Sequence, residues 1–416
     1  MRNVIALVLA GGRMGEYGVL THNRAKGALT FAGSYRIIDF ALSNLVNAGI
    51  EQIGIIIQYL PASLIEHVGV GQPWDLHGYG RALKIMPPFV GVEKTAWYKG
   101  TADALYQNLN FVRDVKPSHV VVLSGEHVYH LDYKAVLRAH CERNADVTMV
   151  TRELPKEKLS RRFGYVVSDE NGRISEFYEK PASPPSNVVS AGIFVFRTEV
   201  LLAELEANAR MPDHNLAKDV LQRRAGELEC FEYRTHDYWE YLENVTDYYE
   251  AQFRLMAEGS HELLRRWNVL TNLEFRGVGF APAASFGSDA HVFNVLAGAN
   301  CHIEGTVSDS ILSPGVRVGR GAVVRKSILF HDCHIGEGAT LDGVVSDRDV
   351  IFEAGCKIGT RPSRDGDTVT DLSTGTPVLT LIGKAVQIGP GVIIPKGVQL
   401  RAGRVLPDQA AANAEI

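Results

Sequence analysis

Five short stretches of this chain carry residue types that could handle phosphorylated ligands. Gly11-Gly12-Arg13 follows directly on the apolar run Val4 to Leu9. Glycine there lets backbone come close to a ligand or adopt φ > 0, and amides freed at such a turn can hold phosphate oxygens. Arg24 and Lys26 add positive charge a few residues on. Tyr98-Lys99-Gly100-Thr101 precedes a helical pattern, with Thr101 placed to cap it and Gly100 beside the freed helix amides. Glu126-His127 sets a carboxylate beside an imidazole after another apolar run, a place suited to Mg²⁺, which takes few protein ligands and leaves room for substrate phosphates. Glu179-Lys180 offers an acceptor for sugar hydroxyls and a point charge for a phosphate, and Ser190-Ala191-Gly192 is small enough for close approach. Taken singly, each also reads as a plain turn, a cap or a solvated ion pair.

These residues need a scaffold, and the hydrophobic pattern supplies one. Apolar runs at Val4–Leu9, Gln52–Gln58, His119–Leu123, Asp146–Thr151, Gly164–Ser168 and Gly192–Arg197 read as strands. Between and after them, 3.6-residue patterns predict helices at Arg36–Asn47, Ala102–Arg113, Tyr133–Arg143, Thr198–Ala207 and Thr246–Met256. Strands alternating with helices predict an α/β, Rossmann-like domain with a mostly parallel sheet, whose ligand sits at the carboxyl ends of the strands. Gly11-Gly12, Gln58-Tyr59 and Ser124 to His127 all fall at such ends.

Composition narrows the classes. The 416 residues are 45% hydrophobic and 22% charged, an ordinary balance for two or three domains. A formal net charge of -5 with scattered basic residues gives no footprint for nucleic acid. No apolar run is long enough to span a bilayer. The N-terminal run is read as the first strand and not as a signal peptide, so a cytoplasmic protein is expected. Five widely separated cysteines, Cys141, Cys230, Cys301, Cys333 and Cys356, suggest buried reduced thiols.

Beyond about residue 286 the rhythm changes. Leu312, Val318, Val324 and Phe330 recur six apart, as do Ile388, Ile394 and Leu400. This spacing, with glycine at the corners, predicts a parallel β-helix of hexapeptide repeats. The expected division is 1–256 for the first domain, 257–285 for a linker with a short helix at Glu262–Trp267, and 286–416 for the β-helix. Residues 361–380 are expected to be extruded from the coil, and the tail after Pro407 to fray. His302, His331 and His334 could serve as bases in an acyl transfer, but packing or surface roles are expected.

Together, LAGGR (9–13), LT and RAK (20–21, 24–26), RIIDFALSN (36–44), QY (58–59), WYKGTADA (97–104), GEHVY (125–129), FG (163–164), EFYEKP (176–181), SAGIFVF (190–196) and YW (238–239) resemble the sugar-1-phosphate nucleotidyltransferases. The branch most resembled is the glucose-1-phosphate adenylyltransferases, which also carry a C-terminal left-handed β-helix. The resemblance implies ATP and glucose 1-phosphate as substrates, with Mg²⁺ as cofactor. It implies a homotetramer, or a mixed tetramer with a paralogue. Residue by residue, it implies that Gly11, Gly12 and Arg13 hold nucleotide phosphates with Lys26 nearby. Gln58, Gly100, Thr101 and Asp103 lie at the nucleotide side, and Tyr98, Gly164, Glu179, Lys180 and Ser190 bind glucose 1-phosphate. Glu126 matches the metal-binding catalytic acid, so Glu126, Arg13 and Lys26 form the implied catalytic set.

The chain departs from the family pattern in the nucleotide and metal half. Met14 replaces a loop glycine, Glu16 a loop arginine, Asn23 a lysine, Gly27 a proline and Glu126 an aspartate. Tyr241 stands where a second metal-side aspartate is expected. Three activities fit these residues: ADP-glucose synthesis, a weakly active or non-catalytic regulatory subunit, and nucleotidyl transfer with another nucleotide or sugar phosphate.

Overall fold

The computed structural model describes residues 3–11, 15–89, 97–360 and 377–415. One sheet of nine strands dominates the first part of the chain. Its spine runs Ile174–Glu179, Gly164–Ser168, Val188–Arg197, His119–Ser124, Val4–Leu9, Gln52–Ile56, Ala82–Met86. Val4–Leu9 pairs in parallel with both His119–Ser124 and Gln52–Ile56, and the latter with Ala82–Met86. Val188–Arg197 runs antiparallel to His119–Ser124 and to Val147–Glu153, which in turn holds Cys230–Arg234 in parallel.

Alternation explains the two layers. Ala6 and Val8 pack into one core while Ile5 and Leu7 pack into the other, and Val121 and Leu123 divide from Val120 and Val122 in the same way. A strand buried on both faces must be apolar throughout, which is why the first strand reads as an unbroken hydrophobic run.

The helices follow the pattern with three differences. The stretch expected as one helix, Ala102–Arg113, is two, Thr101–Gln107 and Leu109–Val115. Asn108 breaks it by donating its side-chain amide to the Tyr98 hydroxyl and to the Ala104 carbonyl, 2.9 and 2.7 Å away. Thr101 does not cap its helix: its hydroxyl accepts the Leu216 N–H at 2.8 Å, and Gly100 holds the cap position without a side-chain bond. The tail does not fray. Gln409–Glu415 is a helix that seats the fully buried Ala412, and the Gln409 side chain bonds both the N–H and the C=O of Ile393. A coil end carries unpaired strand groups, and this side chain satisfies them. The strands Ala82–Met86, Ile174–Glu179 and Cys230–Arg234 were not anticipated from sequence.

The second part of the chain winds as short parallel strands. His302 stands opposite Arg317, Arg317 opposite His334, and His334 opposite Ile351, so roughly three hexads close each coil. Val318, Val324, Ile335, Leu341, Ile388 and Ile394 fill the interior. Residues 361–376 of the expected extrusion lie outside the described residues. His331 is buried, whereas His302 and His334 are exposed. Four of the five cysteines are buried and Cys141 is exposed, all as free thiols.

The two parts share a core. Tyr17, Phe31, Phe40 and Tyr248 cluster with Ile311, Ile328, Phe330 and Val345 of the coil. Arg24 crosses the seam to Asp347 at 2.8 Å, and both side chains are almost fully buried. Tyr249 donates to the Lys326 carbonyl at 2.7 Å.

Candidate active site

A cleft opens at the carboxyl ends of Val4–Leu9, Gln52–Ile56 and His119–Ser124, and two connecting lobes make it up. The larger encloses about 730 Å³ and includes Gly11, Gln58, Tyr59, Tyr98, Gly100 and Thr101 in its wall. The smaller, about 310 Å³, includes Lys26, Gly164, Glu179, Ser190 and Tyr241. Glu126, Lys180, Thr101 and Ser124 line both. The structure therefore gathers most of the expected residues in one place. Gly12 and Arg13 lie outside the described residues. Asp103 is not in either wall: its carboxylate accepts the Lys99 N–H and the Gln107 amide, both at 2.8 Å, and so fixes the helix start.

Each side chain is set by its element. Gly11 does not need φ > 0, and a Cβ there would make an ordinary contact 3.4 Å from the Gln58 N, so the two strand ends lie side by side. Gln58 accepts the Tyr98 N–H at 3.1 Å and thereby ties the second strand end to the Tyr98 segment. The Tyr98 hydroxyl is committed inside the protein, donating to the Met86 carbonyl at 3.2 Å. A Cβ on Gly100 would overlap the His214 carbonyl oxygen, which already accepts the Ala102 N–H at 2.8 Å. Through that contact Asp213, His214, Asn215, Lys218 and Asp219 enter the wall of the larger lobe. Sequence reading missed this segment, because nothing in DHNLAKD announces a contact with residues over a hundred positions earlier.

The smaller lobe is built on strands. A Cβ on Gly164 would come within 2.7 Å of Phe177 and 2.9 Å of the Glu179 carboxylate, so only glycine leaves that carboxylate its place. Burial raises the Glu179 carboxyl above the ordinary range, and Lys180 partly offsets this. Lys180 sits at φ +49 at the end of Ile174–Glu179, with its N–H donated to the Phe163 carbonyl at 3.1 Å. The Ser190 hydroxyl accepts the Gly192 N–H at 3.2 Å.

Glu126 lies at the junction of the lobes. Its Oε2 is 3.6 Å from the Lys26 Nζ, which also stands 5.3 Å over the Tyr17 ring. That separation exceeds a hydrogen bond. Next to it His127 is buried, with its Nδ1 3.2 Å from the Ala191 carbonyl. Burial, then Lys26, pushes this imidazole down to about 3, so it is neutral at ordinary pH. No group of three or more His, Cys, Asp or Glu side chains arranged to hold a metal ion exists among the described residues. One carboxylate, Glu126, faces the junction, which fits an ion held mainly by substrate phosphates and water. Glu240 and Glu243 are turned to Arg254 and Arg162 instead.

Comparisons with known proteins bear on this arrangement. The nucleotidyl transferase family profile matches residues 5–258, and that of the GlmU-like C-terminal hexapeptide family matches residues 282–379. A glucose-1-phosphate adenylyltransferase of Desulfitobacterium hafniense is 36% identical over 403 residues, covering 96% of this chain and 98% of its own length. Another, of Fervidobacterium nodosum, is 34% identical over 422 residues, covering 98% of this chain and all of its own. One from Bacillus cytotoxicus is 36% identical over 383 residues, covering 90% of this chain and 99% of its own.

Proposed function

This chain belongs to the nucleotidyl transferase family, in its glucose-1-phosphate adenylyltransferase branch, and from that premise we propose how its cleft makes ADP-glucose from ATP and glucose 1-phosphate. A phosphate oxygen of glucose 1-phosphate attacks the α-phosphorus of ATP. The bond to the β-phosphate breaks, and pyrophosphate leaves with its electron pair. Such a reaction asks the protein mainly to position two anions and offset their charge. The observation that carries this reading is the pair Lys180 and Glu126, which alone among the charged side chains of the described residues line both lobes.

The larger lobe takes the nucleotide against Gly11, Gln58, Gly100 and Thr101. The smaller takes the sugar phosphate, with Glu179 accepting from sugar hydroxyls and Lys180 holding the phosphate. Lys26 swings from Glu126 to phosphate oxygens when substrate enters. A divalent ion, Mg²⁺ in this proposal, would bind Glu126 and phosphate oxygens and there offset negative charge. The coil supports a homotetramer or a mixed tetramer, which light scattering of the purified chain checks. The chain works in the cytoplasm in this reading.

The test is pyrophosphate release from ATP, Mg²⁺ and glucose 1-phosphate by the purified protein, with UTP, dTTP and GTP run beside ATP. Turnover with ATP that collapses in Lys180→Ala is expected. Turnover only with another nucleotide overturns the choice of ATP. A second reading, a regulatory subunit with little turnover, is favoured by one observation: Tyr241, not a carboxylate, faces the sugar-side lobe. Binding of glucose 1-phosphate without turnover would establish it.

A further inference from the structure

Tyr241 is held more firmly than a lining residue needs to be. It follows Trp239–Glu240, which pairs antiparallel with Val128–Tyr129, so its loop and the Glu126-His127 loop form one ribbon. Its ring packs edge-on against His127 and Phe163, each with centroids 5.1 Å apart. The Arg162 guanidinium covers it at 5.5 Å, and is itself fixed by Asp247 at 2.8 Å. A ring clamped on three sides has little freedom left to lose on binding. The same residue lines the lobe that holds Glu179, Lys180 and Ser190. No hydrogen-bond partner takes its hydroxyl among the described residues. Burial first, then Glu243, raises this phenol far above its ordinary value, so it remains a donor throughout the working pH range.

We propose that the Tyr241 hydroxyl donates a hydrogen bond to a phosphoryl oxygen of glucose 1-phosphate, making it a substrate-binding residue of the smaller lobe. A neutral donor in the lobe that Lys180 also lines grips a phosphate without a cation between them. A carboxylate at this position would repel the phosphate unless a cation bridged the two. The chain thus binds its sugar phosphate independently of metal at this corner. This inference rests on the sugar-phosphate reading of the lobe.

Calorimetric titration of the full chain tests it, with EDTA present and then with Mg²⁺. Tyr241→Phe keeps the clamped ring and removes only the hydroxyl. It is expected to weaken glucose 1-phosphate in EDTA about tenfold, the worth of a hydrogen bond to a charged group. Inorganic phosphate should weaken in parallel, and free glucose should not. Tyr241→Asp should bind more weakly still in EDTA and recover with Mg²⁺, while the parent chain changes little. Lys180→Ala separates the two claims. If Lys180→Ala weakens binding and Tyr241→Phe does not, the tyrosine is only packing and the inference falls. A Tyr241→Phe loss that extends equally to glucose also overturns it. If Lys180→Ala leaves binding intact, the sugar-phosphate reading of the lobe falls with it.

Discussion

Arg24 and Lys26 are two residues apart, and they serve opposite ends of the molecule. Arg24 turns to the seam, where it meets Asp347 at 2.8 Å, and the same carboxylate oxygen accepts the Arg348 N–H at 2.6 Å. Lys26 turns to the cleft, where it stands 3.6 Å from Glu126 in the wall of the smaller lobe. The first pair is closed, its acceptor oxygen shared with a backbone amide. The second is loose and can be remade on a substrate. One short turn thus divides into a structural cation and a chemical one. Local sequence offers no sign of the division, because both are basic residues flanking Ala25.

The comparison breaks most sharply under substitution of the seam. Arg24→Ala leaves the buried Asp347 carboxylate without its guanidinium partner, which is expected to cost roughly 3–5 kcal/mol in urea unfolding. The joint replacement Arg24→Met with Asp347→Leu should recover most of that loss. If Arg24→Ala lowers turnover but not stability, the division drawn here is wrong.

Within the cleft, Lys180→Ala is expected to lower turnover by roughly 10²–10³-fold with an unchanged unfolding midpoint. A loss confined to KM would show that the lysine binds substrate and transition state equally. Gly100→Ala sharpens the contrast between lobes. Its Cβ would displace the His214 carbonyl, so a loss of roughly 1–3 kcal/mol is expected, with ATP affinity falling more than that of glucose 1-phosphate. The smallest effect concerns pH. The buried Glu179 carboxyl protonates at a higher pH than an ordinary carboxylate. As pH falls through that raised value the acceptor is lost, so glucose 1-phosphate affinity should decline there. Glu179→Gln should flatten that decline in a calorimetric series across acidic pH.

Much of the fold was legible because periodicity is a local property. Val4–Leu9 and Gly164–Ser168 match their predicted bounds, since short apolar runs bounded by polar or glycine residues leave little choice. The hexads are legible for the same reason. Ala82–Met86 was not: its burial is partial, and only pairing with Gln52–Ile56 makes it a strand. The break at Asn108 was equally hidden, since it depends on a hydrogen bond to Tyr98 across a turn.

The cleft divides in the same way. Lys180, Glu179 and Ser190 could be named from sequence because their residue types suit a sugar phosphate and they stand in the local motifs EFYEKP and SAGIFVF. Asp103 fits its motif and yet serves the helix start. Asn215 and Lys218 carry no motif and yet line the wall. The sequence by itself determined the central strands that begin at Val4, Gln52 and His119 and roughly where they end, and therefore that Gly11, Gln58 and Glu126 share one edge of the sheet. Only the tertiary structure decided which cation faces the seam and which the cleft, and that Tyr241 is clamped in the wall of the smaller lobe. Those outcomes depend on contacts between residues far apart in the chain, such as Arg24 with Asp347 and Tyr241 with Phe163, and no local pattern encodes them.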